Sequence, residues 1–324
     1  MSTVPFIILL LIIAHLGALK SAQVSEKMRS KRHFQFDYIS VTMTIGILLY
    51  LAVLILPLLL SFFYSFTNFN LLNATNSFIG ARNYVSMFND DTFLSTLRFT
   101  VGTTVIVTLL TNIFGLVIAL ALNQTGAFYS VLRTVFFIPQ VLSSVVIGFI
   151  WSGMLNSERG LVNTLLRQVG LIGPDGNIPW LGTPNLATFS VIVVCIWQMV
   201  GFCTVVYLAA LQGVPQDLKD AANVDGANPW QTFYNVTLPL LSPGITVNVV
   251  ILLIMMFKLY DIIQVMTATG PAGSTESLAY YVTRMAFTVN KVGYASAMAV
   301  VLFIILAMIS AGLGKFLRSR EVEY

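Results

Sequence analysis

Long apolar stretches separated by short polar ones set the plan of this chain. They run over residues 4–19, 39–66, 93–122, 135–155, 186–211, 244–268 and 293–313. All but the first reach the roughly 20 residues that an α-helix needs to cross about 30 Å of hydrocarbon. Most lack the strict apolar–polar alternation of barrel strands. The pattern therefore predicts an all-α fold, a polytopic membrane helical bundle of six core transmembrane helices plus an extra N-terminal helix. It divides the chain into an apolar segment and basic linker (1–38), a first core helix with its outer loop (39–92), a main helical core interrupted by a polar loop at 212–243 (93–317) and a short tail (318–324).

Composition agrees. The 324 residues are 57% hydrophobic and only 9% charged, against about 25% charged in soluble domains. Basic residues set the orientation. With the segment before Ile39 in the cytoplasm, the inside segments hold Lys20, Lys27, Arg29, Lys31, Arg32, Arg133, Lys219, Lys315, Arg318 and Arg320, and the outside segments hold Arg82, Arg159, Arg167, Arg284 and Lys291. This excess inside places the polar stretch 212–243 in the cytoplasm. The net charge of +4 comes from these flanking residues, which face lipid headgroups, and gives no sign of nucleic-acid binding. Segment 4–19 carries its basic residues after the apolar run, the reverse of a signal peptide. It reads as an extra helix with an outer N-terminus, tucked in or locally thinning the bilayer; a gene start at Met28 is the alternative. Cys195 and Cys203, eight apart on one helix, are about 12 Å apart and read as packing residues. The outer stretch 156–184 reads as an ordered loop, either a dock for a partner or a cap over the bundle. A short interfacial helix is expected around 81–88.

The most informative stretch is polar: LQGVPQDLKDAANVDGANPWQTFYNVTLPL, from Leu211 to Leu240. Pro215 suits the first turn of a helix and Asp217 the positive end of its dipole. Gly226 suits a left-handed stop, and Asn228-Pro229 reads as an N-cap with Pro at the first position of a second helix. Asp220-Ala221-Ala222 is followed after three residues by Gly226 and after nine more by Val236-Thr237-Leu238-Pro239. This spacing resembles the EAA loop of ATP-binding-cassette importer permeases, with Asp for Glu and Val for Ile. The resemblance implies a coupling helix that docks on a cytoplasmic ATPase through Asp220, Ala221, Ala222, Gly226, Leu238 and Pro239.

Further stretches are similar to the sugar-permease branch of that superfamily. They include Phe137-Ile138-Pro139, Ser143 to Val146, Gly160 to Asn163, Tyr207 to Gln212, Phe257 to Asp261, Thr267 to Pro271 and Gly293 to Ala297. The resemblance implies a multi-pass subunit of the inner (cytoplasmic) membrane. It would work with a second permease, two copies of an ATPase and an extracytoplasmic substrate-binding protein. No G-x-x-x-x-G-K-[ST] motif occurs. The chain is thus expected to hold no cofactor of its own, with ATP and Mg bound by the partner ATPase, and to be a translocation subunit rather than an enzyme.

Polar groups inside the apolar runs are candidates for the substrate pathway. Hydroxyl-rich ligands need amides, hydroxyls and aromatic faces. Gln140, Ser144, Trp197, Gln198 and Asn248 offer these, with Tyr260 and Asp261 at the pathway's edge. For each, hydrogen bonding between helices is the competing role. Lys258 and Asp261, three apart, are expected to share one helix face as an ion pair. An ion-coupled carrier or channel is the rival function. It fits less well, because Asp261 alone among the thirteen acidic residues lies well inside an apolar run.

Overall fold

The computed structural model describes residues 32–73 and 76–319. The expected extra helix at 4–19, the linker up to residue 31 and the last five residues lie outside the described residues. Among those described, four helices are long and apolar enough to cross a membrane, and two bent helix pairs bring the number to six. The sole strand-like feature among them is an isolated bridge between Thr67 and Phe78.

The first span combines α1 (Arg32–Tyr50), a π-turn (Leu51–Ile55) and α2 (Leu56–Tyr64). None of its apolar window is buried within the chain. The expected interfacial helix is α3 (Arg82–Phe88). The second span, α4 (Asp91–Leu122), starts at Asp90, whose side chain accepts the Thr92 N–H and caps the helix. Its C-terminal carbonyls meet Arg133, whose guanidinium donates to Leu122 O and Gln124 O, a favourable charge for that end of the dipole.

The third span is not the single helix that run 135–155 suggests. It consists of α5 (Ala127–Val141) and α6 (Ser144–Met154), bent by 97°. Leu142 and Ser143, with ψ of 142° and 135°, leave the helical ladder. Pro139 lies just before them inside α5, lacks an N–H and crowds the preceding turn. The outer stretch 156–184, expected to be free of helix, contains α7 (Leu161–Gln168). Asn163 anchors this loop, donating to Ser157 O and Ile178 O and accepting from Trp180 Nε1. Val162, Trp180 and Leu181 pack on the core.

The fourth span, α8 (Pro184–Gln212), is the central post. Its small residues let neighbours approach. A Cβ on Gly201 would collide with the backbone carbonyl oxygen of Phe136 on α5, and one on Gly115 of α4 would lie 2.6 Å from Cys203 Cβ. Such small-residue seams replace the hydrophobic drive that is missing between helices in lipid. Cys195 and Cys203 are free and buried on α8, as their spacing requires.

Helix α9 (Gln216–Val224), α10 (Pro229–Thr232), a π-turn (Phe233–Thr237) and α11 (Leu238–Leu240) lead, across a 61° bend, into α12 (Ser242–Phe257). Run 244–268 is also interrupted. The chain leaves the helix at 258–260, resumes as α13 (Asp261–Met266), then forms α14 (Leu278–Phe287) before the last span, α15 (Val292–Arg318). The short helices α6 and α13 pack together, with Gly148 against Val265.

Candidate functional site

The 212–243 loop folds as its turn residues dictate. Helix α9 ends at Asp225, and Gly226 follows with φ of +77°. Gly226 N–H bonds to Asn223 O and Ala227 N–H to Ala222 O, the paired closure that a left-handed residue makes possible. Asn228 then caps α10 with a reciprocal box: its side chain accepts the Gln231 N–H while its own N–H donates to Gln231 Oε1. Pro215 takes the capping position and the helix begins at Gln216, one residue later than its sequence suggests. Asp220 is exposed and accepts from Gln216 Nε2 at 2.9 Å. Around it Val224, Trp230 and Tyr234 are 88%, 70% and 61% exposed. Ala221 is exposed, while Ala222, Leu238 and Pro239 are half-buried. Large apolar side chains so exposed on a polar loop have the character of a surface for another protein.

The pathway candidates fall into three groups. The break after α5 brings Ser144 beside α8, where Gln198 Nε2 donates to Ser144 Oγ at 3.1 Å. Gln140 and Gln198 each keep a buried amide oxygen with no partner in the chain. Trp197 meets Trp151 edge to face, with ring centroids 5.5 Å apart. These five residues surround one bend. Asn248 lies apart, fully buried, donating to Cys203 O at 3.3 Å and leaving its own oxygen unpartnered. Beneath it Tyr207 donates to Asn112 Oδ1 at 2.6 Å. That placement gives Asn248 the interhelical role that competed with sugar contact. Tyr260 stacks on Tyr280 at 5.8 Å and donates to Gln264 Oε1.

The expected Lys258–Asp261 ion pair does not form. The helix ends at Lys258, and Asp261 opens a different one, so the two never share a face. Both are exposed. Among the described residues the single ion pair is instead Arg284 with Glu276, at 2.7 Å. Glu276 is nearly buried, and its carboxylate holds the Arg284 guanidinium above its usual range.

Sequence reasoning also missed the knot at the outer end. Tyr281 and Tyr294 both donate to Asp90 Oδ2, at 2.7 and 2.8 Å, joining α4, α14 and α15. Burial would raise the Asp90 carboxyl, but the two hydroxyls and the Thr92 and Phe93 N–H groups more than offset it, leaving it below the usual carboxylate value. The same burial and the Asp90 charge push the Tyr281 hydroxyl up. The one signal that could have pointed to Asp90 is an acidic residue just before an apolar run; its partners lie about two hundred residues away in sequence.

Comparison with known proteins accords with this geometry. Residues 111–321 match the family described as binding-protein-dependent transport system inner membrane component. The chain is 31% identical to the probable starch degradation products transport system permease protein AmyD of Thermoanaerobacterium thermosulfurigenes, over 84% of this chain and 91% of that one. It is 34% identical to the multiple sugar-binding transport system permease protein MsmF of Streptococcus mutans, covering 78% and 86% respectively. Its fold matches a chain of a bacterial ABC transporter that imports the acidic polysaccharide alginate, with TM-score 0.74, 22% identity and coverage of 89% and 98%. A chain that pairs an exposed polar loop with a bundle of this fold, and that matches over this length, belongs to the inner membrane components of binding-protein-dependent transport systems, in the sugar-permease branch of ABC transporters.

Proposed function

We propose that this chain is one of two permease subunits of an ATP-driven importer that moves a di- or oligosaccharide into the cytoplasm. The observation that carries this reading is the 212–243 loop: a Gly226 turn between α9 and the Asn228-capped α10, with Val224, Trp230 and Tyr234 as well as Asp220 exposed. ATP and Mg would be bound by the partner ATPase, whose closure draws the loops of the two permeases together and turns the bundle outward. The Ala221 and Ala222 side chains permit close approach, and Gln216 holds the Asp220 carboxylate in place. Asp220 is one methylene shorter than the Glu of the resembled loop.

The cluster at the α5–α6 bend supports a sugar as cargo. Two amides with unused buried oxygens, a hydroxyl and a tryptophan pair supply the acceptors, donors and aromatic face that hydroxyl-rich ligands need. AmyD and MsmF are named for starch products and multiple sugars, which favours a neutral oligosaccharide over an acidic one.

The test is co-purification with the partner ATPase and sugar uptake, comparing wild type with Gly226→Asp. A side chain at φ of +77° strains the turn. The expected result is normal membrane insertion with loss of most bound ATPase and at least about tenfold slower uptake. Normal ATPase retention and uptake by the variant would refute the assignment of the loop.

A further inference from the structure

Two adjacent clefts open at the outer end of the chain, and they share Asn83, Lys291 and Tyr294. The larger, about 350 Å³, also touches Asp90. The smaller, about 250 Å³, is completed by Asn68, Phe69 and Asn70 and contains a cation and no anion. Its amides are each fixed at one end. Asn70 Oδ1 accepts the N–H groups of Leu72 and Asn73, and Asn68 Oδ1 accepts the Ser77 N–H. Neither Nδ2 has a partner among the described residues, so both can donate outward. Asn83 does the reverse, spending Nδ2 on Ser65 O and Thr67 O, 2.8 Å each.

Lys291 is exposed, takes no part in an ion pair among the described residues, and occupies the position before α15. A cation at a helix N-terminus meets the positive end of the dipole, an unfavourable placement that an external anion would relieve. Asp90 lines the neighbouring cleft, but its oxygens are turned to the Thr92 N–H and to two tyrosine hydroxyls, and it forms no ion pair with Lys291. The backbone that frames the cleft is itself held firmly. Gly293 N–H bonds to Phe69 O at 2.9 Å, and a Cβ on Gly293 would collide with Thr67 O.

We propose that this cleft is a docking point for an acidic side chain of the external substrate-binding protein, taken by Lys291 and the Asn68 and Asn70 amides. A fixed pair of amide donors beside an ammonium matches a carboxylate, which accepts several hydrogen bonds at once. The pocket is the size of one side chain rather than of an oligosaccharide. This inference rests on the importer reading, since the partner is the protein that delivers the substrate.

The assembled transporter in nanodiscs, titrated with sugar-loaded binding protein, tests it through stimulated ATP hydrolysis. Lys291→Glu is expected to raise the half-saturating concentration about tenfold at low salt, keeping the rate at saturation. The difference should shrink as salt screens the contact, and Lys291→Arg should retain most of the affinity. A photo-crosslinking residue at Asn70 is expected to capture the binding protein. An unchanged half-saturating concentration in Lys291→Glu, or a lower saturated rate alone, would overturn the docking site while leaving the importer reading intact. Wild type that no binding protein stimulates would overturn both.

Discussion

At the scale of single residues, Asp90 is the group whose chemistry is most constrained. It caps α4 and accepts two tyrosine hydroxyls, all of which favour the ionised form. Its folded pKa lies below its unfolded value of about 3.8. The stability it contributes is therefore fully present above that value and is lost as pH falls through the lower folded one. Asp90→Asn keeps a cap but loses the charge, so the variant should unfold several degrees below wild type at neutral pH. The gap should close in acid, beginning near pH 4. Thermal unfolding in detergent across pH checks this, and a gap independent of pH would show that the hydroxyl contacts act without the charge. Gly201 is constrained by space instead of charge. Gly201→Ala would drive a methyl group into the Phe136 carbonyl, at a cost of about 1–3 kcal/mol. Gly102→Ala on α4 meets nothing within 4 Å, so by helix propensity it should be neutral or stabilising by up to about 1 kcal/mol. Equal melting temperatures for the two variants would mean that α5 and α8 are not in the close contact described.

At the scale of elements, what the sequence disclosed and what it hid divide along a physical line. Span lengths are legible because transfer of a helix into hydrocarbon depends on apolar content, which every residue reports. The Gly226 turn and Asn228 box are legible because a left-handed residue and an N-cap each demand a particular side chain at one position. The interruptions at 142–143 and 258–260 are hidden, because the few polar residues there, Ser143 and Ser144 at the first and Lys258 and Asp261 at the second, are flanked on both sides by apolar residues that keep each run going. Pro139 marks the first only loosely, standing four residues before Ser143. Helix α14 escaped for the opposite reason: Tyr280, Tyr281, Thr283 and Arg284 dilute its apolar face, although Ser277 caps it by accepting the Tyr280 N–H. The supposed Lys258–Asp261 pair failed with the helix on which it depended. Of the pathway candidates, Gln140, Ser144, Trp197 and Gln198 converge because the α5–α6 bend carries Ser144 toward α8. No spacing rule within one helix could have paired residues 54 positions apart.

At the scale of the whole molecule, the two ends are built differently. One end is cross-braced by side chains from other segments, Asn83 to the 65–67 turn and Asp90 to Tyr281 and Tyr294. In the 212–243 loop, by contrast, the side-chain bonds of α9 and α10 are local, Gln216 to Asp220 and Asn228 with Gln231. Backbone amides of α9 should therefore exchange hydrogen at least about a hundredfold faster than those of the α4 core. Added ATPase should slow them selectively. Equal protection without ATPase would mean that the loop is held elsewhere in this chain. Between these ends lie the two helix breaks. Leu142, Ser143 and the 258–260 segment already stand outside any helical ladder, and the outer pieces beyond them, α6 and α13, are packed on each other. Each break is still tied to its neighbours, Ser143 O taking the Ile147 N–H and Tyr260 O the Gln264 N–H. Two neighbouring joints thus flank a single packed part, so that displacing one short helix would displace the other.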